Sequence, residues 1–345
     1  MKSSKTFPTA ILAASFVIIL AGMMQAQSII NPILMGLFLS IISAQPILWL
    51  QKKKVPLGIA ILMVIFFEVL IFIGLAEVIG SSVADFSNNS GIYEEKMEKI
   101  WMSFIATLNE NGIQISGDNL SKIINPSKLI GFTSIILNQL GGVIGNTFTI
   151  FFLMLFLLLE LESFSLKTKA ISKSTHVSLE FLDTIGTSIR TYLSIKTMTS
   201  LLTGFIIWIC LLILGVEYAI IWALIAFLLN FIPNIGSIIA ALPAVLFALI
   251  QLGFSGALWT GVIFLAINIF VGNVVEPKMM GKGLGLSTYV VFVSLIFWGF
   301  ILGIVGMFLS VPLTMAIKIM LDQNKNTKWI AVLLGTEEDA KSLLS

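Results

Sequence analysis

The stretch Tyr218–Gln251, YAIIWALIAFLLNFIPNIGSIIAALPAVLFALIQ, is apolar throughout and too long to be a single membrane span. As one straight helix its 34 residues would extend about 51 Å, against a hydrocarbon core of about 30 Å. It is broken near its middle by Phe231-Ile232-Pro233-Asn234-Ile235-Gly236. Pro233 lacks an amide proton and clashes with the preceding turn, while Gly236 loosens the backbone. Asn230 and Asn234 supply side-chain hydrogen bonds for the groups that such a break frees. Irregular backbone survives at membrane depth only where protein buries it or a wet cavity receives it, and in transporters such breaks mark the substrate or ion site.

The rest of the chain fits an integral membrane protein. Of its 345 residues, 57% are hydrophobic and only 11% charged, where a soluble domain carries nearer a quarter. Mean hydropathy is +1.03. Long apolar runs without ten-residue alternation make the spans helical, so the chain is predicted to be an all-α membrane protein. A net charge of +2 gives no reason to expect a nucleic-acid partner. The single cysteine, Cys210, excludes an intrachain disulfide and a cysteine metal cluster. His176 stands in a polar segment without partners at metal-ligand spacing, so neither metal nor cofactor is expected.

Taken in order, Lys2 and Lys5 precede an apolar run from Thr9 to Met24 that resembles a signal peptide but reads better as an uncleaved first span. A second span, Ile29–Leu50, ends in Gln51-Lys52-Lys53-Lys54, which assigns that loop and the amino terminus to the cytoplasm by the positive-inside rule. The third span, Leu57–Ile79, carries Glu68 near its centre, where a carboxylate faces a partner or an aqueous path. Residues 80–140 are polar and read as an extracytoplasmic helical insertion. In it Met97, Ile100, Trp101, Phe104, Ile105 and Leu108 recur at helical spacing as an apolar stripe for packing. The fourth span, Gly141–Leu159, ends at Glu160 and Glu162, which read as interfacial charges. It leads to a segment bearing Lys167, Lys169, Lys173, Arg190 and Lys196, again a cytoplasmic pattern. Phe181, Ile185, Ile189, Tyr192 and Leu193 predict an amphipathic surface helix ahead of a fifth span, Met198–Leu214.

A sixth span, Ala257–Val275, follows the broken stretch, and a second overlong apolar run, Ser287–Lys318, follows that. The middle of this second run reads Gly299-Phe300-Ile301-Leu302-Gly303-Ile304-Val305-Gly306, with Pro312 beyond. Pairing Pro243 with Pro312 brings Phe231-Ile232 onto Phe300-Ile301, so the two runs share a shape. Charge favours two re-entrant hairpins of opposite orientation, 218–251 opening outward and 287–318 inward. Lys278, Lys282, Lys318, Lys325 and Lys328 then all lie in the cytoplasm with the tail 322–345. Eight single spans are the alternative to six spans plus two hairpins. The transport core is thus 141–321, preceded by three spans in 1–79. Asn268, Gly272 and Glu276 fall at i, i+4 and i+8 and are expected to share one helix face, with Asn273 beside them.

These residues resemble the autoinducer-2 exporter family of bacterial inner-membrane permeases. The resemblance is carried by Tyr192, Leu214-Gly215-Val216, Asn230-Phe231-Ile232-Pro233-Asn234-Ile235-Gly236 and Pro243. Val275-Glu276-Pro277-Lys278-Met279-Met280-Gly281, Leu284-Gly285-Leu286, Trp298-Gly299, Gly303-Ile304-Val305-Gly306-Met307 and Val311-Pro312-Leu313 complete it. It is specific over residues 185–320 and holds by layout before that. Asn234 and Ser237 stand where the family has an aromatic residue and a proline, and Ser287-Thr288 where it has a proline. The resemblance implies a transporter, with members linked to export of a furanone-type quorum signal and others to sodium or lithium exchange for protons.

The expected protein is a multi-span helical secondary transporter of a bacterial inner membrane, both termini cytoplasmic, and not an enzyme. No Gly-Lys-Ser/Thr phosphate loop is present for direct ATP coupling. Pro233, Gly236, Pro243, Gly303, Gly306 and Pro312 are expected to form the gating breaks. Asn230, Asn234, Asn268, Asn273, Glu276 and Glu68 are expected to line a substrate or ion path. The partners expected are the lipid bilayer and a small polar solute such as autoinducer-2, with sodium or protons as candidate coupling ions and a homo-oligomer open. The rivals are a cation/proton antiporter and a non-transporting scaffold that uses the 80–140 insertion.

Overall fold

A computed structural model of the chain describes residues 6–110, 131, 147–175, 180–233, 235–280, 285–337 and 340–341. Among them there is no strand. The helices are α1 (Thr6–Gln25), α2 (Gln27–Lys52), α3 (Leu57–Glu110), α4 (Thr147–Thr175), α5 (Glu180–Leu214), α6 (Ala219–Leu229) and α7 (Ile235–Phe270). A π-helical turn (Val271–Val275), α8 (Glu276–Met280), α9 (Thr288–Asp322) and α10 (Lys328–Leu334) complete the order. Gln27–Lys52, Leu57–Thr107, Phe181–Leu214, Ile235–Met280 and Thr288–Asp322 are each long and apolar enough to cross a membrane. Large apolar side chains face outward on them: Ile213 and Phe254 are nearly four-fifths exposed, at 79% and 78%. In water such a surface would aggregate, and in lipid it is the ordinary exterior. The chain is an integral membrane protein.

Two compact units divide the chain, one of Met1–Ile65, Phe148–Ile195 and Met280–Ser345, the other of Phe66–Thr147 and Lys196–Met279. Two expected boundaries are absent as breaks in structure. Helix α3 runs without interruption through residues 79 and 80, and its 54 residues extend roughly 81 Å. The amphipathic segment at 181–193 likewise continues straight into the fifth span as α5. Neither junction carries a helix-breaking proline, so the backbone has no reason to stop.

The second unit is built around a hairpin. Helix α6 and the first arm of α7 fold against each other, with the Trp222 and Phe247 rings 5.6 Å apart and the Glu217 amide 2.8 Å from Gln251 Oε1. Residues that far apart in sequence meet only if the chain reverses between them. The reversal is tight at Gly236, where a Cβ would lie 1.8 Å from the Leu229 carbonyl oxygen. Gly253 (φ 73, ψ −166) turns the chain a second time, in a region of backbone space open only to glycine. Residues 254–270 then run back along the arm, bringing Gly261 beside Val245. Trp222, Ile221, Ile225, Ala240, Ala244 and Phe247 form the buried core here. Phe86, Tyr93 and Met97 of α3 join it, so Met97 of the expected stripe packs on the base of this hairpin; the side chains of Phe104 and Leu108 lie outside the described residues.

The first unit holds the matching hairpin in α9. Trp298 Nε1 donates to Thr314 Oγ1 at 3.0 Å, though a straight helix would hold those residues about 24 Å apart. Gly303 (φ 64, ψ −144) makes the turn, again in the glycine-only region. A Cβ on Gly306 would lie 1.9 Å from the Trp298 carbonyl oxygen. With Pro243 paired to Pro312, Leu229 falls on Trp298, so the same carbonyl position receives the tip glycine in both hairpins. Leu20 and Met23 of α1 and Ile30 and Leu34 of α2 pack against this hairpin. A second cluster, Ile47, Ala60, Ile61, Val64, Met154 and Leu158, joins α2, α3 and α4.

Each overlong run is therefore a hairpin, and eight straight spans do not describe it. Two of the expected breaks are corrected. Helix continues through Pro243 and Pro312, both buried, and the departures from helical backbone lie at Gly253 and Gly303 instead. A proline deletes one hydrogen bond and bends a packed helix, whereas glycine alone reaches the positive φ that reverses it. Gly306 too is helical; its role is the close approach of the arms.

Candidate functional site

A reversal of helical backbone exposes carbonyls and amides that lipid cannot satisfy. In the α9 hairpin the last carbonyls before Gly303 are met from α2. Gln27 Nε2 donates to the Ile301 oxygen at 2.5 Å and Asn31 Nδ2 to the Leu302 oxygen at 3.2 Å. Gln27 and Asn31 are one turn apart, so a single helix face carries both amides. In the α6–α7 hairpin the tip is tied from within, Asn230 Nδ2 donating to Ser200 Oγ of α5 at 3.0 Å. Ser200 stands in a fully buried hydroxyl row with Thr199 and Thr203. Thr260 in the same unit is equally buried, and its hydroxyl has no hydrogen-bond partner among the described residues.

The open ends of the hairpins repeat one device. Gly215 (φ 78) and Gly285 (φ 64) precede them, each taking a positive φ. Gln251 Nε2 donates to the Gly215 carbonyl at 3.0 Å, and Lys318 Nζ donates to the Gly285 carbonyl. Each hairpin is thus clamped across its base by a side chain from its second arm. The Gly215 base adds an acidic, phenolic cluster. Tyr93 donates to Glu217 Oε2 at 3.1 Å, and Tyr218 donates to Asp85. Burial first, then the bond to Asp85, pushes the Tyr218 phenol well up, so it stays a donor. These bonds hold Tyr218 in the left-handed region (φ 55), a conformation costing roughly 1–2 kcal/mol in a non-glycine residue.

Glu276, expected as a path-lining carboxylate, is paired. Lys196 Nζ reaches both its oxygens, at 2.8 and 2.9 Å, with the two side chains 5% and 19% exposed. Losing one partner of such a pair costs about 3–5 kcal/mol, because the other charge stays buried. The sequence marks Lys196 only as a cytoplasmic charge; nothing local connects it to a carboxylate 80 residues away. The expected stripe of Asn268, Gly272 and Glu276 is corrected by the π turn at Val271–Val275, whose wider ring rotates Glu276 out of the i, i+4 register. Asn268 and Glu276 are half-buried, while Gly272 and Asn273 are exposed. Glu68 is half-buried on α3 with Oε2 shielded from solvent. Phe231 and Ile232 are buried and Pro233 half-buried at the first tip, and Asn234 lies outside the described residues, as does His176. Among the described residues no group of three or more His, Cys, Asp or Glu is placed to hold a metal.

Comparison with known proteins agrees with a membrane-embedded chain. The family described as AI-2E family transporter matches residues 13–326. The chain belongs to that family. The "Putative transport protein" of Haemophilus influenzae is 40% identical over 334 residues, covering 95% of this chain and 96% of that protein. The AI-2 transport protein TqsA of Escherichia coli K12 is 36% identical over 325 residues, covering 94% of each. The "Putative transport protein YhhT" of the same strain is 32% identical over 322 residues, covering 93% of this chain and 92% of that one. As an AI-2E family member this chain is a membrane transporter.

Proposed function

We propose that this chain is a secondary transporter of the bacterial inner membrane, both termini cytoplasmic, which exports a small polar solute of the autoinducer-2 kind. The observation that carries the proposal is the pair of hairpins, each with a tip glycine pressed against a carbonyl of the opposite arm, and the second turned at the glycine-only position of Gly303. Paired broken helical hairpins of similar shape are parts from which alternating access is built. The positive-inside pattern puts the Lys318 base in the cytoplasm and the Asp85–Tyr218 base outside. The 36% identity to a protein named for AI-2 transport supports the choice of solute. Asn230 and the buried hydroxyls of α5 would line the path, with Pro233, Gly236, Gly303 and Gly306 forming its gates.

Exchange of sodium or lithium for protons needs a titratable carboxylate free to change charge, and Glu276 already neutralises Lys196. Glu68 is the expected carboxylate left for such exchange, and the identity to a protein named for AI-2 transport favours solute export as the reading. The test is signal accumulation in the medium of a strain lacking this gene, with and without a plasmid copy. Export predicts lower extracellular and higher intracellular signal in the deletion, restored by the plasmid. Identical distributions in the two strains would sink it.

A further inference from the structure

Within the first unit, the amino-terminal part of α5 and the open end of the α9 hairpin enclose a cleft of about 470 Å³. None of the residues predicted from sequence to line a path touches it. We propose that this cleft is a binding site for a small neutral polyhydroxylated solute, of the size of a five- or six-carbon sugar.

The α5 wall presents Thr184, Thr187, Ser188 and Thr191, at i, i+3, i+4 and i+7 of one face. Serine and threonine are poor helix formers, and here four of them share one face of a helix whose other side is apolar. Each hydroxyl both donates and accepts, so a stripe of them matches a ligand whose own groups do the same. The facing wall carries Lys318 and Asp322, one turn apart on α9. Their charges offset one another, and Lys318 also donates to the Gly285 carbonyl. An anion entering the cleft meets Asp322 and a cation meets Lys318. A neutral polyol meets neither penalty, and the carboxylate accepts from two adjacent hydroxyls at once. Between the polar walls lie Ile195, Met315 and Ile319, an apolar floor for the carbon face of such a solute. The volume falls in the range of about 300–1,000 Å³ usual for small-molecule sites.

The inference rests on the transport reading only for its purpose; binding is measurable without flux. Saturation-transfer NMR on the full chain in nanodiscs would use ribose and xylitol as probes, with inorganic phosphate and 1-pentanol as comparisons. Transfer to ribose and xylitol but not to the comparisons is expected. Asp322→Asn and the double change Thr187→Val, Thr191→Val should each weaken it about tenfold or more while thermal unfolding of the protein stays unchanged. Should Asp322→Asn unfold the protein, the exposed threonine pair alone decides. No transfer to either polyol, preferential binding of phosphate or pentanol, or full binding by the folded threonine variant would overturn the proposal. Polyol binding with no solute flux would instead count against the transport reading alone, and flux without polyol binding against the cleft alone.

Discussion

Replacing Gly306 by alanine tests the close approach on which the second hairpin depends. The added Cβ would sit 1.9 Å from the Trp298 carbonyl oxygen and 2.8 Å from Leu302 Cβ. Ordinary contact begins near 3.4 Å, so the arms must part by roughly 1.5 Å, and the obstructing atom is backbone that cannot swing aside. Overpacking of that kind costs about 1–3 kcal/mol. Parting the arms also stretches the 3.0 Å bond from Trp298 to Thr314 past hydrogen-bonding distance, for about 1 kcal/mol more. The expected loss is thus about 2–4 kcal/mol. Gly261→Ala is the control, because its Cβ meets only Val245 Cγ2 at an ordinary 3.8 Å and alanine is the better helix former. Equilibrium unfolding of both variants by titration with denaturing detergent measures the difference. Equal stability for Gly306→Ala and Gly261→Ala would refute the clamped-tip geometry.

Other consequences are as specific. Glu276→Gln should destabilise by about 3–5 kcal/mol by stranding the Lys196 charge, while the double change Lys196→Met, Glu276→Leu recovers most of the loss; the same unfolding titration reads both. Asn31→Leu, which leaves the Leu302 carbonyl without its amide, should cost about 1–3 kcal/mol, and Asn31→Gln less, in thermal unfolding of the purified protein. Gly303→Ala, with nothing within 4 Å of its Cβ, should still cost about 1–3 kcal/mol through backbone strain alone, so a cavity-making change nearby will not rescue it. Cysteines placed at Asp85 and at Lys325 should react with an impermeant thiol reagent from opposite faces of oriented vesicles; labelling from the same face would contradict the assigned topology.

The hairpins are legible in the sequence because an apolar run longer than a bilayer is thick has to stop or turn, and Pro233, Gly236 and Gly303 mark where. Prolines mislead in part. Pro243 and Pro312 align the two runs well, yet they sit inside packed helix, since a bend is all that a proline demands there. The partners of the breaks cannot be read. Gln27 and Asn31 pair with carbonyls more than 270 residues away, and in sequence they resemble only the polar edge between two spans. Lys196 and Glu276 are joined the same way, across 80 residues. The π turn has no composition of its own, so the helical spacing of Asn268, Gly272 and Glu276 promises a face that the backbone does not keep. The hydroxyl stripe of α5 does have a readable spacing, at i, i+3, i+4 and i+7. The apolar face of the same helix is the stronger signal and masks it.

The most direct test of the central claim is flux of autoinducer-2 in proteoliposomes that contain only this protein. Signal loaded inside should leave at a rate proportional to the protein present. If the tip glycines gate the path as proposed, folded Gly236→Ala and Gly306→Ala variants should release it at least about tenfold more slowly. No protein-dependent release from vesicles shown to hold folded protein, or full release through both alanine variants, would contradict the account.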